Sequence, residues 1–95
     1  MYSTVRVYKG SPELADALVA NQEEVKKLIG GISGFNGYYL IKTDDGAVSI
    51  SVFDSGEGAE ESTRVAGDWL RENLPSTTIA APDVSTGEVV ISFSS

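Results

Sequence analysis

The chain has 95 residues and a net charge of −7, and it contains neither cysteine nor histidine. Disulfides, thiolate nucleophiles, zinc sites built on Cys or His, haem ligated by His or Cys, and a Ser–His–Asp triad are all excluded. Seven scattered cations against fourteen carboxylates repel a phosphate backbone or an anionic bilayer, so neither nucleic acid nor membrane is expected as a partner.

The first element is a half-buried strand over Thr4–Lys9, with Val5 and Val7 alternating against Thr4, Arg6 and Tyr8. Ser11 as N-cap, Pro12 in the first turn and Glu13 at the positive end of the dipole then predict a helix start. Leu14, Ala17, Leu18, Asn21, Val25, Leu28 and Ile29 recur at helical steps, predicting one helix over Pro12–Ile29, stopped by Gly30 and Gly31. "GFNGYYLIKT" reads as a second strand, with Phe35, Tyr39 and Ile41 on one side and Tyr38 and Leu40 on the other. Asp44–Gly46 is a hairpin turn, and "AVSISVFD" a third strand with Val48, Ile50 and Val52 opposite Ser49, Ser51 and Phe53.

Asp54 or Ser55 caps the second helix, whose inward stripe is Ser62, Val65, Ala66, Trp69, Leu70 and Asn73 and whose end is enforced by Pro75. A final strand is expected in "EVVISFS", with Val89, Ile91 and Phe93 opposite Val90 and Ser92. The order β-α-β-β-α-β predicts a ferredoxin-like α+β fold: a four-stranded antiparallel sheet with two helices on one face.

At this length a single domain over residues 1–95 is expected, burying about 60–65% of the surface its unfolded chain exposes. No apolar run approaches 18 residues and the first ten residues lack a signal-peptide core, so a cytoplasmic location is expected. Two helices cover only one sheet face. Patterning predicts that Val5, Val7, Val48, Ile50, Val52, Val89, Ile91 and Phe93 face the helices. The opposite face would then carry Thr4, Arg6, Tyr8, Ser49, Ser51 and Phe53, covered by a second copy in a homodimer.

Three motifs resolve into structure. Gly30, Gly31, Gly34 and Gly37 follow a helix and precede a strand, the reverse of a phosphate-binding loop; they read as a helix stop, a turn at Gly34 and a bulge or close approach at Gly37. Ser33 is a turn serine with no histidine to activate it. Asp54, Glu57, Glu60 and Glu61 suit a helix start and do not match a calcium loop, so no metal and no cofactor is expected.

Asn21 and Trp69 are polar-capable groups on the inward stripes of their helices, and a buried amide or indole N–H needs a partner. With Arg6, Tyr38 and Tyr39 they make a candidate pocket between helices and sheet. The simpler reading places Asn21 at the stripe's edge, Trp69 in the core and the tyrosines at an interface.

The element order, "GGISGFNGYYL" entering a strand, the "DDG" hairpin and "VSISVFDSGEGAEES" running into a Trp-bearing helix resemble the dimeric α+β barrel superfamily, in particular its small antibiotic-biosynthesis-monooxygenase-type members. The resemblance spans residues 3–93. It implies a homodimer with sheets joined into a barrel and ligands held between sheet and helices. It also implies, for some members, oxygenation of polyketide-like aromatic compounds without metal or flavin. Asn21 or Trp69 would then orient the substrate, and Tyr38 or Arg6 would stabilise its phenolate. Haem-degrading relatives use a histidine for iron, which this chain lacks. Two functions stay open: a non-catalytic dimer binding a small apolar ligand, and a cofactor-independent monooxygenase. The second requires a pocket of at least about 300 Å³ lined by Trp69 and by Tyr38 or Tyr39.

Overall fold

The computed structural model describes residues 1–74 and 79–94. Its elements in chain order are β1 (Tyr2–Tyr8), α1 (Leu14–Ala20), α2 (Gln22–Gly30), β2 (Phe35–Lys42), β3 (Ala47–Phe53), α3 (Gly56–Asn73) and β4 (Asp83–Glu88). The strands form one antiparallel sheet in the order β2-β3-β1-β4, with the helices packed on one face. This is the predicted ferredoxin-like α+β fold. No described helix is long and apolar enough to cross a membrane.

The first helix is broken where one was predicted over residues 12–29. Leu14 N–H bonds the Ser11 carbonyl at 3.1 Å in a turn, so the helix proper starts at Leu14, without a side-chain cap. It stops at Asn21 (φ −112°, ψ 26°), whose side-chain amide donates to the Ala17 carbonyl at 2.8 Å. The backbone N–H of Asn21 turns to Leu18 instead. The side chain has taken the acceptor that continued helix would have used, which is how Asn competes with helical geometry. α2 then starts at Gln22.

The glycine passage is punctuation. Gly34, at φ +82°, makes the turn into β2, and its carbonyl accepts from Asp54 N–H at 2.8 Å. The ladder between β2 and β3 shifts register between Phe35 and Gly37, a bulge that accommodates Asn36. One extra residue reverses the alternation, so Phe35 pairs with Phe53 on the side of Tyr38 and not, as predicted, on the side of Tyr39 and Ile41. In the β2–β3 turn a Cβ at Gly46 would lie 2.2 Å from the Tyr8 carbonyl oxygen, so only glycine fits. Of the two predicted caps of α3, Ser55 serves, its Oγ accepting from Gly58 N–H at 3.4 Å. The predicted stop at Pro75 lies outside the described residues.

The last strand lies earlier than its composition predicted. β4 is Asp83–Glu88, a polar segment recruited by pairing with β1, with Tyr2 opposite Glu88 and Val7 opposite Asp83. Val89 N–H reaches the Met1 carbonyl at 2.8 Å, and there the antiparallel register with β1 runs out. The β-prone residues Val90, Ile91 and Phe93 follow with no regular structure, 81%, 72% and 92% exposed.

The sheet faces are also the reverse of the prediction. Thr4, Arg6, Tyr8, Ser49, Ser51 and Phe53 lie buried under the helices. Val5, Val7, Val48, Ile50 and Val52 are half-buried on the other face, in line with Tyr39 and Ile41 of β2. One core cluster gathers Tyr8, Leu14, Ala15, Leu18, Ala47 and Trp69; a second gathers Ile29, Phe53 and Ala59. Patterning failed because it assigns the apolar face to the layer within the chain. Here the helices cover the more polar face.

Candidate functional site

The buried polar residues converge on Arg6, at the middle of β1 and 1% exposed. Antiparallel pairing sets Ser49 of β3 directly opposite Arg6, and Ser51 two pairs further along, opposite Thr4. α3 crosses above and supplies Ser62 and Thr63. The guanidinium fans out across all four: Nε donates to Ser49 Oγ at 2.9 Å, Nη1 to Ser62 Oγ and Thr63 Oγ1 at 3.1 Å each, and Nη2 to Ser51 Oγ at 2.9 Å. Ser62 Oγ gives its own proton to the Ala59 carbonyl at 2.6 Å, which leaves its lone pairs for Arg6. The fork thus ties two strands to α3 through hydroxyls alone.

Burial holds the Arg6 pKa below its ordinary value, partly opposed by the nearby phenols of Tyr8 and Tyr38. Guanidinium is so strong a base that it remains a cation at neutral pH. Burial also raises both phenols, with the Arg6 charge pulling the other way, so Tyr8 and Tyr38 are protonated donors at neutral pH.

Beside Arg6 is a cavity of about 20 Å³, walled by Tyr8, Tyr38, Ser49 and Trp69 together with apolar side chains of α1, α2 and α3. It adjoins a groove of about 360 Å³ between the α1–α2 pair and β2, with which it shares Leu18, Val25, Ile29 and Tyr38. The groove's other walls are mostly apolar, including Val19, Phe35 and Leu40, with Gln22 and Lys26 at its polar side. A more open recess of about 700 Å³ lies between α3, residues 79–82 and β4 and also touches Arg6 and Tyr8.

Of the sequence-derived candidates, the structure brings Arg6, Tyr38 and Trp69 to one cavity. Asn21 is not among its walls; its amide is spent on Ala17 at the helix break. Tyr39 is 63% exposed on the other sheet face. Trp69 is buried in the core cluster as well as walling the cavity. Among the described residues no group of three or more Asp or Glu side chains could hold a metal ion.

No family model matches the chain, and no curated protein matches it in sequence. Solved structures do match it in shape. A dimeric ferredoxin-like protein from an uncultured marine organism superposes with a TM-score of 0.63 at 15% identity, over 99% of this chain and 98% of that one. The likeness is to the ferredoxin-like fold. An MhuD variant with two manganese protoporphyrin IX bound per active site gives 0.67 at 14% identity, over 100% of both chains. A monooxygenase from the gene ActVA-Orf6 of Streptomyces coelicolor, in complex with nanaomycin D, gives 0.58 at 20% identity, over 96% of this chain and 91% of that one. At these identities the likeness concerns the fold.

Sequence reasoning missed Tyr8, Ser49, Ser51, Ser62 and Thr63. One signal was present: an Arg flanked by two valines in a strand, beside a strand of alternating serines, needs acceptors if its face is buried.

Proposed function

We propose that the protein is a homodimer that binds a small apolar, aromatic-sized ligand between its helices and its sheet. The observation that carries this is the groove of about 360 Å³, which exceeds the roughly 300 Å³ at the low end for ligand sites. Its walls are Leu18, Val19, Val25, Ile29, Phe35, Tyr38 and Leu40, and its inner end adjoins the cavity at Arg6. Apolar walls with a few convergent polar groups are the usual make-up of a small-molecule site. The homodimer is supported by the apolar outer face, where Val5, Val7, Val48, Ile50 and Val52 have no helix to cover them, and by the dimeric neighbour of the same fold.

A second reading is cofactor-independent oxygenation of a phenolic compound. Arg6, Tyr38 and Trp69 on one cavity favour it, as does the monooxygenase that shares the fold. Against it, the 20 Å³ between those side chains leaves no room for a ring. The larger groove has Tyr38 but not Trp69 among its walls. Binding is therefore the preferred reading.

Methyl NMR with the neutral aromatic 2-naphthol tests it. Shifts confined to Val25, Ile29 and Leu40 are expected, at a particle mass twice 10.0 kDa. Shifts instead at Leu74, Ile79 and Val84 would move the site to the recess beside β4, and no shifts would sink the binding reading. Oxygen uptake with phenolic substrates, lost in Trp69→Phe while the fold is kept, would put the second reading ahead.

A further inference from the structure

A charge taken out of water is costly unless an opposite charge or a strong hydrogen-bond set compensates it. Arg6 has the hydrogen-bond set but not the charge. Its acceptors Ser49, Ser51, Ser62 and Thr63 are all neutral, and none of the ion pairs among the described residues includes it. Hydroxyl dipoles meet four of its five N–H donors and leave a whole positive charge inside a chain that is otherwise acidic. If Arg6 served only to tie β1, β3 and α3 together, a neutral amide or an apolar side chain would do so without that cost.

The space beside the cation has a definite size. A cavity of about 20 Å³ exceeds the roughly 10–15 Å³ that one water requires on the same measure. A single ligand oxygen fits, and the tetrahedral head of a phosphate or sulfonate does not. The apolar groove shares four of the cavity's lining side chains, Leu18, Val25, Ile29 and Tyr38.

We propose that the ligand of the groove is an apolar carboxylic acid. Its hydrocarbon body lies along Val25, Ile29 and Leu40, and one carboxylate oxygen enters the cavity beside Arg6, supplying the counter-charge that the chain itself withholds. Tyr38, which walls both spaces, marks where the head meets the body. This rests on the groove being the binding site and adds the chemistry of what it takes.

The test is calorimetric titration of the intact protein at pH 7 with 2-naphthoate and with 2-naphthamide, which share a shape and differ in charge. Arg6 meets a full counter-charge in the acid and only a carbonyl dipole in the amide, which favours the acid by about tenfold or more. Arg6→Gln should abolish that preference, so that the two compounds bind with equal affinity. Because Arg6 also ties the sheet to α3, the wild-type Arg6 Nε–H resonance gives a reading free of any variant. It should shift with naphthoate and stay in place with naphthamide. Equal affinities, or an unmoved Arg6 resonance, would overturn the acid proposal and leave the groove standing. Failure of both compounds to bind would overturn the groove reading, and this proposal with it.

Discussion

The two faces of the sheet carry opposite chemistry and opposite neighbours. The face under the helices is the more polar one: Thr4, Arg6, Ser49 and Ser51, buried to within 2% of full occlusion, with Tyr8 and Phe53 beside them. The face without helices carries Val5, Val7, Val48, Ile50 and Val52 with Tyr39 and Ile41, and Tyr39 remains 63% exposed. A chain folding for stability alone would reverse these assignments, because apolar burial is the main favourable term. The polar groups under the helices are satisfied one by one, and no described buried side-chain N or O lacks a partner. On the proposed function, that face is the interior that takes the ligand and the other the surface that meets a second copy. Local rules tend to fail at functional sites, and here they fail across a whole sheet face.

The comparison can be broken at several points. Phe53 is fully buried against Ile29 and Ala59 in the helix-facing layer. Phe53→Ala should cost about 3–5 kcal/mol in urea unfolding at fixed protein concentration. A loss under 1 kcal/mol would mean that this face is not the core. On the other face, Ile50→Asp places a charge at the proposed centre of the dimer. It should weaken association by about a hundredfold or more, some 3 kcal/mol. Light scattering would then show the 10.0 kDa monomer; an unchanged dimer would place the interface elsewhere.

Ser51→Val separates patterning from hydrogen bonding. Judged by strand propensity and apolar burial, valine at 51 should stabilise. Judged by the 2.9 Å bond from Arg6, it strips an acceptor from a buried cation and should cost about 1–3 kcal/mol. Thermal melts decide, and a rise in Tm would contradict the account given for this face.

The smallest effect is alkaline. Tyr8 and Tyr38 have folded pKa values raised above the ordinary 10.0 by burial. Above pH 10 the unfolded chain loses these protons first, so stability present at lower pH declines as pH climbs through the folded values. Arg6, lowered from its ordinary value by burial, acts in the opposite direction once pH passes its folded value, because the folded state then releases its proton first. The net expectation is a decline setting in above about pH 10, reduced in Tyr38→Phe; an identical slope in that variant would remove Tyr38 from the account.

Much of the fold was legible. Valine alternation gave β1 and β3, the Asp-Asp-Gly turn joined β2 to β3, and Ser55 marked the start of α3, since these depend on neighbours a few residues away. Three features were not legible. The break at Asn21 turns on a side chain outcompeting a backbone N–H, which periodicity does not register. Phe35 changed sides through a one-residue bulge. Residues 83–88 form a strand only because β1 offers them an edge, while the more β-prone residues after Val89 have no edge to meet.

The candidate site divides along the same line. Asn21 and Trp69 were selected as groups whose polar atoms need company, and Arg6, Tyr38 and Tyr39 as their companions in a pocket; the fold places Arg6, Tyr38 and Trp69 on one cavity. Asn21 and Tyr39 lie apart from it.

The sequence by itself determined the order and hand-offs of the elements, the absence of thiol and imidazole chemistry, and the acidic character that disfavours phosphate-rich partners, because composition and local periodicity are properties of the chain alone. Only the tertiary structure decided which sheet face the helices cover, and with it whether Arg6 meets water or four buried hydroxyls. Alternation with a period of two states that a strand has two different faces, and it carries no information about which one the rest of the chain will choose.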